Sequence, residues 1–90
     1  MKAVVLYETG NVSMDVIMAV FPRHKVLIGE FTARGEVIGI GPFTGGREGS
    51  MGIFKDRPSA EAFVARDPFV LEGLVAKVRI LDWADEMLKV

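Results

Sequence analysis

The 90-residue sequence predicts an α+β domain whose elements follow the order β-α-β-β-α-β. Four short segments are rich in β-branched and aromatic residues, which is typical of strands. Two longer segments carry apolar residues at helical spacing, with proline or glycine at their ends. Together these patterns indicate a four-stranded antiparallel sheet with two main helices on one face. One domain is expected over residues 1–90.

The first predicted strand, over residues 2–8, is apolar on both of its faces. A strand of this kind lies inside a sheet and needs a layer over each face. The helices supply one layer, so a second copy of the chain, packed sheet against sheet, is the expected cover for the other. The apolar side chains alternate between Ala3, Val5 and Tyr7 on one face and Val4 and Leu6 on the other.

The first main helix is predicted to begin near Pro22 and to end at Gly35. Proline suits a first helical turn because its missing N–H would be unpaired there, and glycine suits the left-handed residue that follows a helix. The preceding segment, 13–20, fits a strand as well as a helix. It is interpreted as a short helical lead-in that Ser13 could cap. One face of the main helix carries His24, Leu27, Ile28 and Phe31.

Residues 36–41 and 50–55 are predicted as the second and third strands, joined as a hairpin by the glycine-rich loop 42–49. Glycine-rich loops can bind phosphate, but this one lacks the lysine of a Walker loop. It also joins two strands, whereas a Walker loop opens a helix. The loop is therefore interpreted as the flexible rim of a pocket.

The second main helix is predicted to follow Asp56, which suits the N-cap position, with Pro58 in the first turn. The next position in the series of its apolar stripe is Asp67, which is therefore expected to face the sheet. The stripe itself contains Ala60, Phe63 and Val64.

A further helical turn is predicted from Pro68 and is expected to end at Gly73. Residues 74–83 alternate apolar and polar side chains and form the fourth predicted strand. The pattern allows a short helical tail over 84–90.

Composition excludes several classes of protein. Eleven basic and twelve acidic residues give a net charge of −1, whereas a nucleic-acid-binding surface needs a concentrated basic face. The apolar run at 2–7 is too short for a signal peptide or a membrane span, so a cytoplasmic protein is expected. The chain has no cysteine, which removes disulfides and thiol catalysis. Half of its residues are hydrophobic, which favours a homodimer that buries part of them.

RNA-recognition domains share the predicted topology, but their third strand presents basic and aromatic residues that stack on bases. Here residues 50–54 contain a single aromatic side chain and no basic one. The sequence therefore excludes that class.

His24 and Asp67 are the residues best suited to acid–base chemistry. His24 is the single histidine of the chain, and imidazole is the side chain that titrates near neutral pH when unperturbed. If the two residues meet in a pocket, they form a general acid–base pair. Two plainer interpretations stay open: His24 as a half-exposed residue of a first helical turn, and Asp67 as the N-cap of the turn that follows it. A metal site is not expected, because the chain lacks a ligand cluster at recognisable spacing.

Three segments resemble the YciI-like proteins, the YCII-related domain family within the dimeric α/β-barrel superfamily. They are Pro22-Arg23-His24, Gly39-Ile40-Gly41-Pro42, and the run 60–70, which contains Asp67-Pro68-Phe69 and is followed by Glu72-Gly73-Leu74. The resemblance implies a ferredoxin-like protomer, a homodimer with facing sheets, and an active site built on His24 and Asp67. It also implies a small lyase or isomerase that acts on ring compounds without a metal or an organic cofactor.

The sequence thus favours a cofactor-independent enzyme with a His24–Asp67 acid–base pair in a pocket between helices and sheet. The alternative is a homodimer that binds a small metabolite, or assists a partner enzyme, without catalysis. Neither hypothesis involves nucleic acid or a membrane. The residues expected to bind substrate are Tyr7, Arg23, Gly41, Pro42, Phe43, Ser50 and Phe69.

Overall fold

The computed structural model describes residues 1–45 and 48–86. Its four strands form one antiparallel sheet in the order β2-β3-β1-β4, with the helices packed on one face. The predicted ferredoxin-like α+β fold is confirmed. The elements are β1 (Lys2–Thr9), α1 (Met14–Ala33), β2 (Val37–Pro42), β3 (Ser50–Phe54), α2 (Arg57–Arg66), α3 (Pro68–Leu71) and β4 (Val75–Trp83).

The core lies between β1 and the two long helices. Strand β1 is central, with β3 on one side and β4 on the other, and its helix-facing side chains are buried. Burying one large apolar side chain contributes about 1.5–3 kcal/mol, so a few such residues hold the layers together. The buried cluster consists of Ala3, Val5, Tyr7, Leu27, Phe31, Phe54, Ala60 and Phe63.

Helix α1 differs from its prediction in one respect. The lead-in and the main helix are a single 20-residue helix, and Pro22 lies inside it. The expectation that Pro22 opens a helix is therefore wrong. Proline cannot donate to the carbonyl of Met18, a loss that costs roughly 3 kcal/mol. Packing offsets this cost, because Val20, Leu27 and Phe31 on either side of the proline are buried.

Four other predicted signals at the helix ends are confirmed. The Ser13 hydroxyl accepts a hydrogen bond from Val16 N at 3.3 Å, and Asp56 accepts one from Ser59 N at 2.9 Å. Gly35 and Gly73 have φ angles of 71° and 76°, the left-handed conformation that ends each helix. Asp67 forms the junction between the two later helices, as the C-cap of α2 and the N-cap of α3.

The hairpin of β2 and β3 needs glycine where it meets β1. Gly49 has a φ of 99°, and a Cβ atom built there would lie 1.9 Å from the carbonyl oxygen of Tyr7. Its own carbonyl accepts a hydrogen bond from Phe43 N at 2.8 Å. Gly46 and Arg47, which belong to the predicted pocket rim, lie outside the described residues. So do residues 87–90 of the expected helical tail, whereas 84–86 are not helical.

The face of the sheet opposite the helices carries an apolar patch. Strand register puts Val4 beside Ile53 and Leu81, and Leu6 beside Met51. Cross-strand partners point to the same side of a sheet, so these side chains form one surface. Of the helices that the structure describes, none lies over this surface, and none is both long and apolar enough to cross a membrane.

Candidate active site

Three elements bring a histidine, an aspartate and a tyrosine together. His24 lies in the middle of α1, Asp67 lies between α2 and α3, and Tyr7 lies on β1. His24 Nδ1 is 2.8 Å from Asp67 Oδ1, and Tyr7 Oη donates a hydrogen bond to Asp67 Oδ2, also at 2.8 Å. All three side chains are buried. The structure therefore brings the two predicted acid–base residues into contact.

Asp67 serves two purposes at once. It ends α2 and is the N-cap of α3, where its Oδ1 accepts a hydrogen bond from Phe69 N at 3.0 Å. It is also fully buried, with 0% of its surface exposed. A buried carboxylate is expensive unless donors surround it, and here three donors reach it, from Tyr7, His24 and Phe69. The capping interpretation and the pairing interpretation are both correct.

Aromatic rings hold the imidazole in place. The Phe69 ring stacks on His24 with a centroid distance of 4.1 Å and an interplanar angle of 21°. Phe63 meets it edge-on at 6.0 Å, and Phe21 lies tilted at 6.1 Å. His24 is 8% exposed, so the interpretation of a half-exposed histidine is wrong. It also lies far from either end of α1, where the partial charges of a helix act.

The hydrogen-bonding pattern determines which nitrogen of His24 is free. An ionised carboxylate only accepts, so Nδ1 must carry the proton that points at Asp67. In neutral imidazole the lone pair is then on Nε2. Nε2 has no hydrogen-bond partner among residues 1–45 and 48–86, and no buried polar atom of this part is unpaired. Nε2 is therefore accessible and available to a ligand.

The pKa values of Tyr7 and Glu72 are shifted by their neighbours. The pKa of Tyr7 lies well above its usual value because of burial, then the charge of Asp67, then the hydrogen bond to Asp67. Tyr7 therefore stays a phenol and a donor. On the surface, Arg23 pairs with Glu72 just beyond α3, and its hydrogen bond lowers the pKa of that carboxyl.

A cavity of about 340 Å³ opens beside His24. Its walls are α1 as far as Ile28, the ends of β1 and β2, the start of β3, Phe69 of α3, and the residues that lead into β4. Met14, Met18 and Phe21 are partly exposed at its mouth. This volume falls within the usual range of small-molecule sites, and the lining is mostly apolar, as is common in such sites.

Most of the predicted binding residues lie on this cavity. Tyr7, Gly41, Pro42, Ser50 and Phe69 line it together with His24. Arg23 and Phe43 do not line it: Arg23 is an exposed partner of Glu72, and Phe43 is 40% exposed. Within the described part of the chain, no cluster of three or more histidine, aspartate or glutamate side chains could hold a metal ion.

One wall of the cavity was not predicted from the sequence. Met14, Ile17, Met18 and Phe21 line it from the first two turns of α1. Their spacing of three and four residues runs on without a break to His24 and Ile28, and that period was the available signal. Assigning Pro22 to a helix start concealed it.

Comparison with known proteins gives one family and one recurring fold. The model of the YCII-related domain family matches residues 1–84. The 5-chloro-2-hydroxyhydroquinone dehydrochlorinase TftG of Burkholderia phenoliruptrix AC1100, solved with 2,5-dihydroxybenzoquinone, has a TM-score of 0.79 and 21% identity over 96% of each chain. A hypothetical Arabidopsis thaliana protein, solved in solution and by crystallography, gives TM-scores of 0.55 and 0.52 at 15% identity. Those matches span 99% of this chain and 90% and 98% of the solved chains. No curated protein matches the sequence.

The hydrogen bond to Asp67 predicts the tautomer of His24. At a pH where the imidazole is neutral, the proton is expected on Nδ1, because the carboxylate can only accept. Long-range ¹H–¹⁵N correlation spectra will show a single imidazole, since the chain has one histidine. Asp67→Asn is the control: its amide both donates and accepts, so the preference should weaken. A proton on Nε2 in the wild type would contradict the assigned geometry.

The raised pKa of Tyr7 predicts a loss of stability at high pH. Above about pH 10 the unfolded chain releases the phenol proton while the folded chain keeps it. The free energy of unfolding contributed by Tyr7 is thus intact below about pH 10 and falls above it by up to about 1.4 kcal/mol per pH unit. Urea unfolding at several pH values measures this slope.

Tyr7→Phe is the matched variant for this measurement. It should be less stable than the wild type by about 1–3 kcal/mol near neutral pH, because Asp67 Oδ2 loses its donor. Its stability should fall less steeply above about pH 10. Equal slopes in the two proteins would show that Tyr7 ionises normally.

Proposed function

The chain belongs to the YCII-related domain family, and on that premise we propose that it is a cofactor-independent enzyme of the lyase or isomerase type that moves a proton on a small cyclic substrate. The observation that carries the proposal is the buried His24–Asp67 pair, whose free Nε2 is beside a cavity of small-molecule size. Buried polar pairs that face a cavity are costly for stability and are typical of active sites.

His24 is the group that moves the proton. Nε2 takes a proton from a C–H or O–H bond of the substrate, and the imidazolium returns it to another atom of the same molecule or to a leaving group. Positioned acid–base catalysis of this kind contributes about 10²–10⁴-fold. The stack on Phe69 fixes the plane of the ring, so the lone pair has one direction.

Asp67 and Tyr7 hold His24 ready for the proton transfer. Asp67 holds the Nδ1–H tautomer and stabilises the imidazolium once it forms, because its negative charge lies 2.8 Å away. Tyr7 and the Phe69 amide hold the carboxylate from its other sides. The three hydrogen bonds leave the carboxylate little freedom to turn away from His24.

The fold comparison supports this class of reaction. TftG, which has the same fold, is a dehydrochlorinase and was solved with a dihydroxylated ring. Elimination of hydrogen chloride requires removal of a proton, which is the step assigned here to His24. A ring of this size fits the cavity volume, and Tyr7, Gly41, Pro42, Ser50 and Phe69 are positioned to contact it.

Replacing His24 tests the assignment. His24→Gln should lower turnover of any accepted ring compound by about 10²–10⁴-fold, because the base is removed. Asp67→Asn should lower it by a similar factor through loss of the charge and the tautomer preference. The screen begins with 5-chloro-2-hydroxyhydroquinone, followed by other hydroxylated rings and lactones.

Arg23→Gln is the matched control, since Arg23 is adjacent in sequence but lies on the surface. It should keep wild-type turnover, and circular dichroism should show that all variants are folded. Turnover that survives His24→Gln would reject the mechanism. A ring compound that binds and is recovered unchanged would favour the alternative, a metabolite-binding protein.

We also propose that the protein is a homodimer in which the free faces of two sheets pack together. The support is the apolar surface opposite the helices, where Leu81 and Trp83 are 40% and 38% exposed in a single chain. Exposed apolar patches of this kind usually mark interfaces, and two-fold dimers are the commonest assembly. The patch contains Val4, Leu6, Met51, Ile53, Leu81 and Trp83.

A charged side chain introduced into this apolar patch should dissociate the dimer into monomers. Ile53 has Val4 and Gly39 as cross-strand neighbours, so Ile53→Asp places a carboxylate among apolar groups. Light scattering should give twice 9.9 kDa for the wild type and a monomer for the variant. Ala62→Asp, an equal charge on the exposed face of α2, should stay dimeric. A monomeric wild type would reject the dimer.

A further inference from the structure

A second, much smaller void lies next to the cavity. Its volume is about 10 Å³, at the lower limit of roughly 10–15 Å³ that a cavity needs to hold one water molecule. Three polar side chains, His24, Tyr7 and Ser50, reach both the void and the cavity. The rest of its lining is Val5, Ile40, Met51, Gly52, Phe54 and Phe63. The lining of the void is thus mainly apolar and includes three side chains that carry polar groups.

Strand pairing explains why Ser50 is there. Ser50 begins β3 and is paired with Tyr7 on β1 and with Pro42 on β2. Cross-strand partners point to the same side, so the Ser50 side chain lies on the helix-facing side with Tyr7. Its hydroxyl has no hydrogen-bond partner in residues 1–45 and 48–86, and no buried polar atom of this part is unpaired. Ser50 Oγ therefore faces open space.

Each of the three polar side chains at the void has a hydrogen-bond donor or acceptor that no other group in the described part of the chain uses. Ser50 has a donor and acceptor lone pairs available. His24 has the Nε2 lone pair, since Nδ1 is committed to Asp67. Tyr7 donates its proton to Asp67 and keeps its oxygen lone pairs. One oxygen atom that carries a proton would satisfy such a set, because it can both donate and accept.

We propose that this void is an oxygen subsite: it holds a water in the free protein and a hydroxyl oxygen of the substrate in the complex, with Ser50 as the residue that selects it. The substrate part rests on the proposed function of His24. It restricts the substrate class to rings that bear a hydroxyl at the position of proton transfer. It also gives a role to the serine that begins β3 opposite Tyr7.

At this subsite the proton transfer breaks one bond and forms one bond. The O–H bond of the substrate breaks, an N–H bond forms at His24 Nε2, and the electron pair stays on the oxygen. Ser50 Oγ–H donates a hydrogen bond to the oxygen as its negative charge grows, as donors in an oxyanion hole do. Asp67 stabilises the imidazolium at the same time. No other reactant is needed.

A crystal structure of the ligand-free protein at high resolution tests the first half. We expect one ordered water in the void within hydrogen-bond distance of Ser50 Oγ, and its absence in Ser50→Ala. A dry void in the wild type would overturn the proposal. This result does not depend on catalysis, so it stands or falls separately from the role of His24.

Binding of 2,5-dihydroxybenzoquinone, the ring found in TftG, tests the second half. Ser50→Ala should weaken its affinity by roughly 3- to 30-fold, because a hydroxyl partner is lost. Ser50→Thr, which keeps the hydroxyl, should bind within a few-fold of the wild type. Thr32→Val is the matched control and should keep wild-type affinity, since Thr32 is exposed on α1 and lines neither the cavity nor the void.

A crystal structure of the complex with the ring also shows whether the oxygen in the void belongs to the ring or to a water molecule. A ring oxygen in the void, with the water displaced, supports the substrate subsite. A water that stays in the void beneath the bound ring identifies a structural water and overturns the substrate role. Equal affinity of wild type and Ser50→Ala, or no binding of the ring to the wild type, overturns it as well. Loss of turnover in His24→Gln with a dry void would leave the proposed function intact and reject the subsite alone.

Discussion

The arrangement of this molecule depends on the burial of one carboxylate. Asp67 has no exposed surface, and a buried charge that loses its partners destabilises a protein by about 3–5 kcal/mol. The chain meets this requirement with donors from three separate elements: Tyr7 on β1, His24 on α1 and the Phe69 amide of α3. Each donor fixes the position of its element. The same contacts that make the carboxylate tolerable therefore hold the sheet, the long helix and the α2–α3 junction in register around the imidazole.

Sequence periodicity predicted that both residues face the sheet, because both lie in apolar series of helical spacing, and the resemblance to the YciI-like proteins added that they form one site. Asp67 continues the stripe that includes Phe63, and His24 precedes Leu27 by one turn. The chain's one tyrosine, Tyr7, was assigned to substrate binding or packing because alternation shows which face a strand residue uses but not what it contacts across the layer. Long-range partners such as Tyr7 and Asp67 depend on how layers pack, which no local pattern records.

The main error concerned Pro22, and its cause is energetic. A proline at a helix start costs no stability, whereas one inside a helix costs roughly 3 kcal/mol. The local sequence therefore favours a helix that begins at Pro22. Tertiary packing overrides that preference here, since Val20 and Leu27 are buried on both sides of the proline. The outcome matters for the site. A helix that began at Pro22 would place His24 at its positive end, whereas the observed helix also gives the cavity a wall of its own.

The His24–Asp67 pair and the cavity rim are formed by residues under different structural constraints. His24 and Asp67 lie in regular elements whose neighbours are buried, so a change there disturbs both hydrogen bonding and packing. The rim consists of Met14, Met18 and Phe21 at the exposed face of α1 together with the ends of β1 and β2. Substitutions of exposed side chains usually change stability little. Under the proposed function, the pair would carry the proton transfer, and the rim together with Ser50 would determine which substrate is bound.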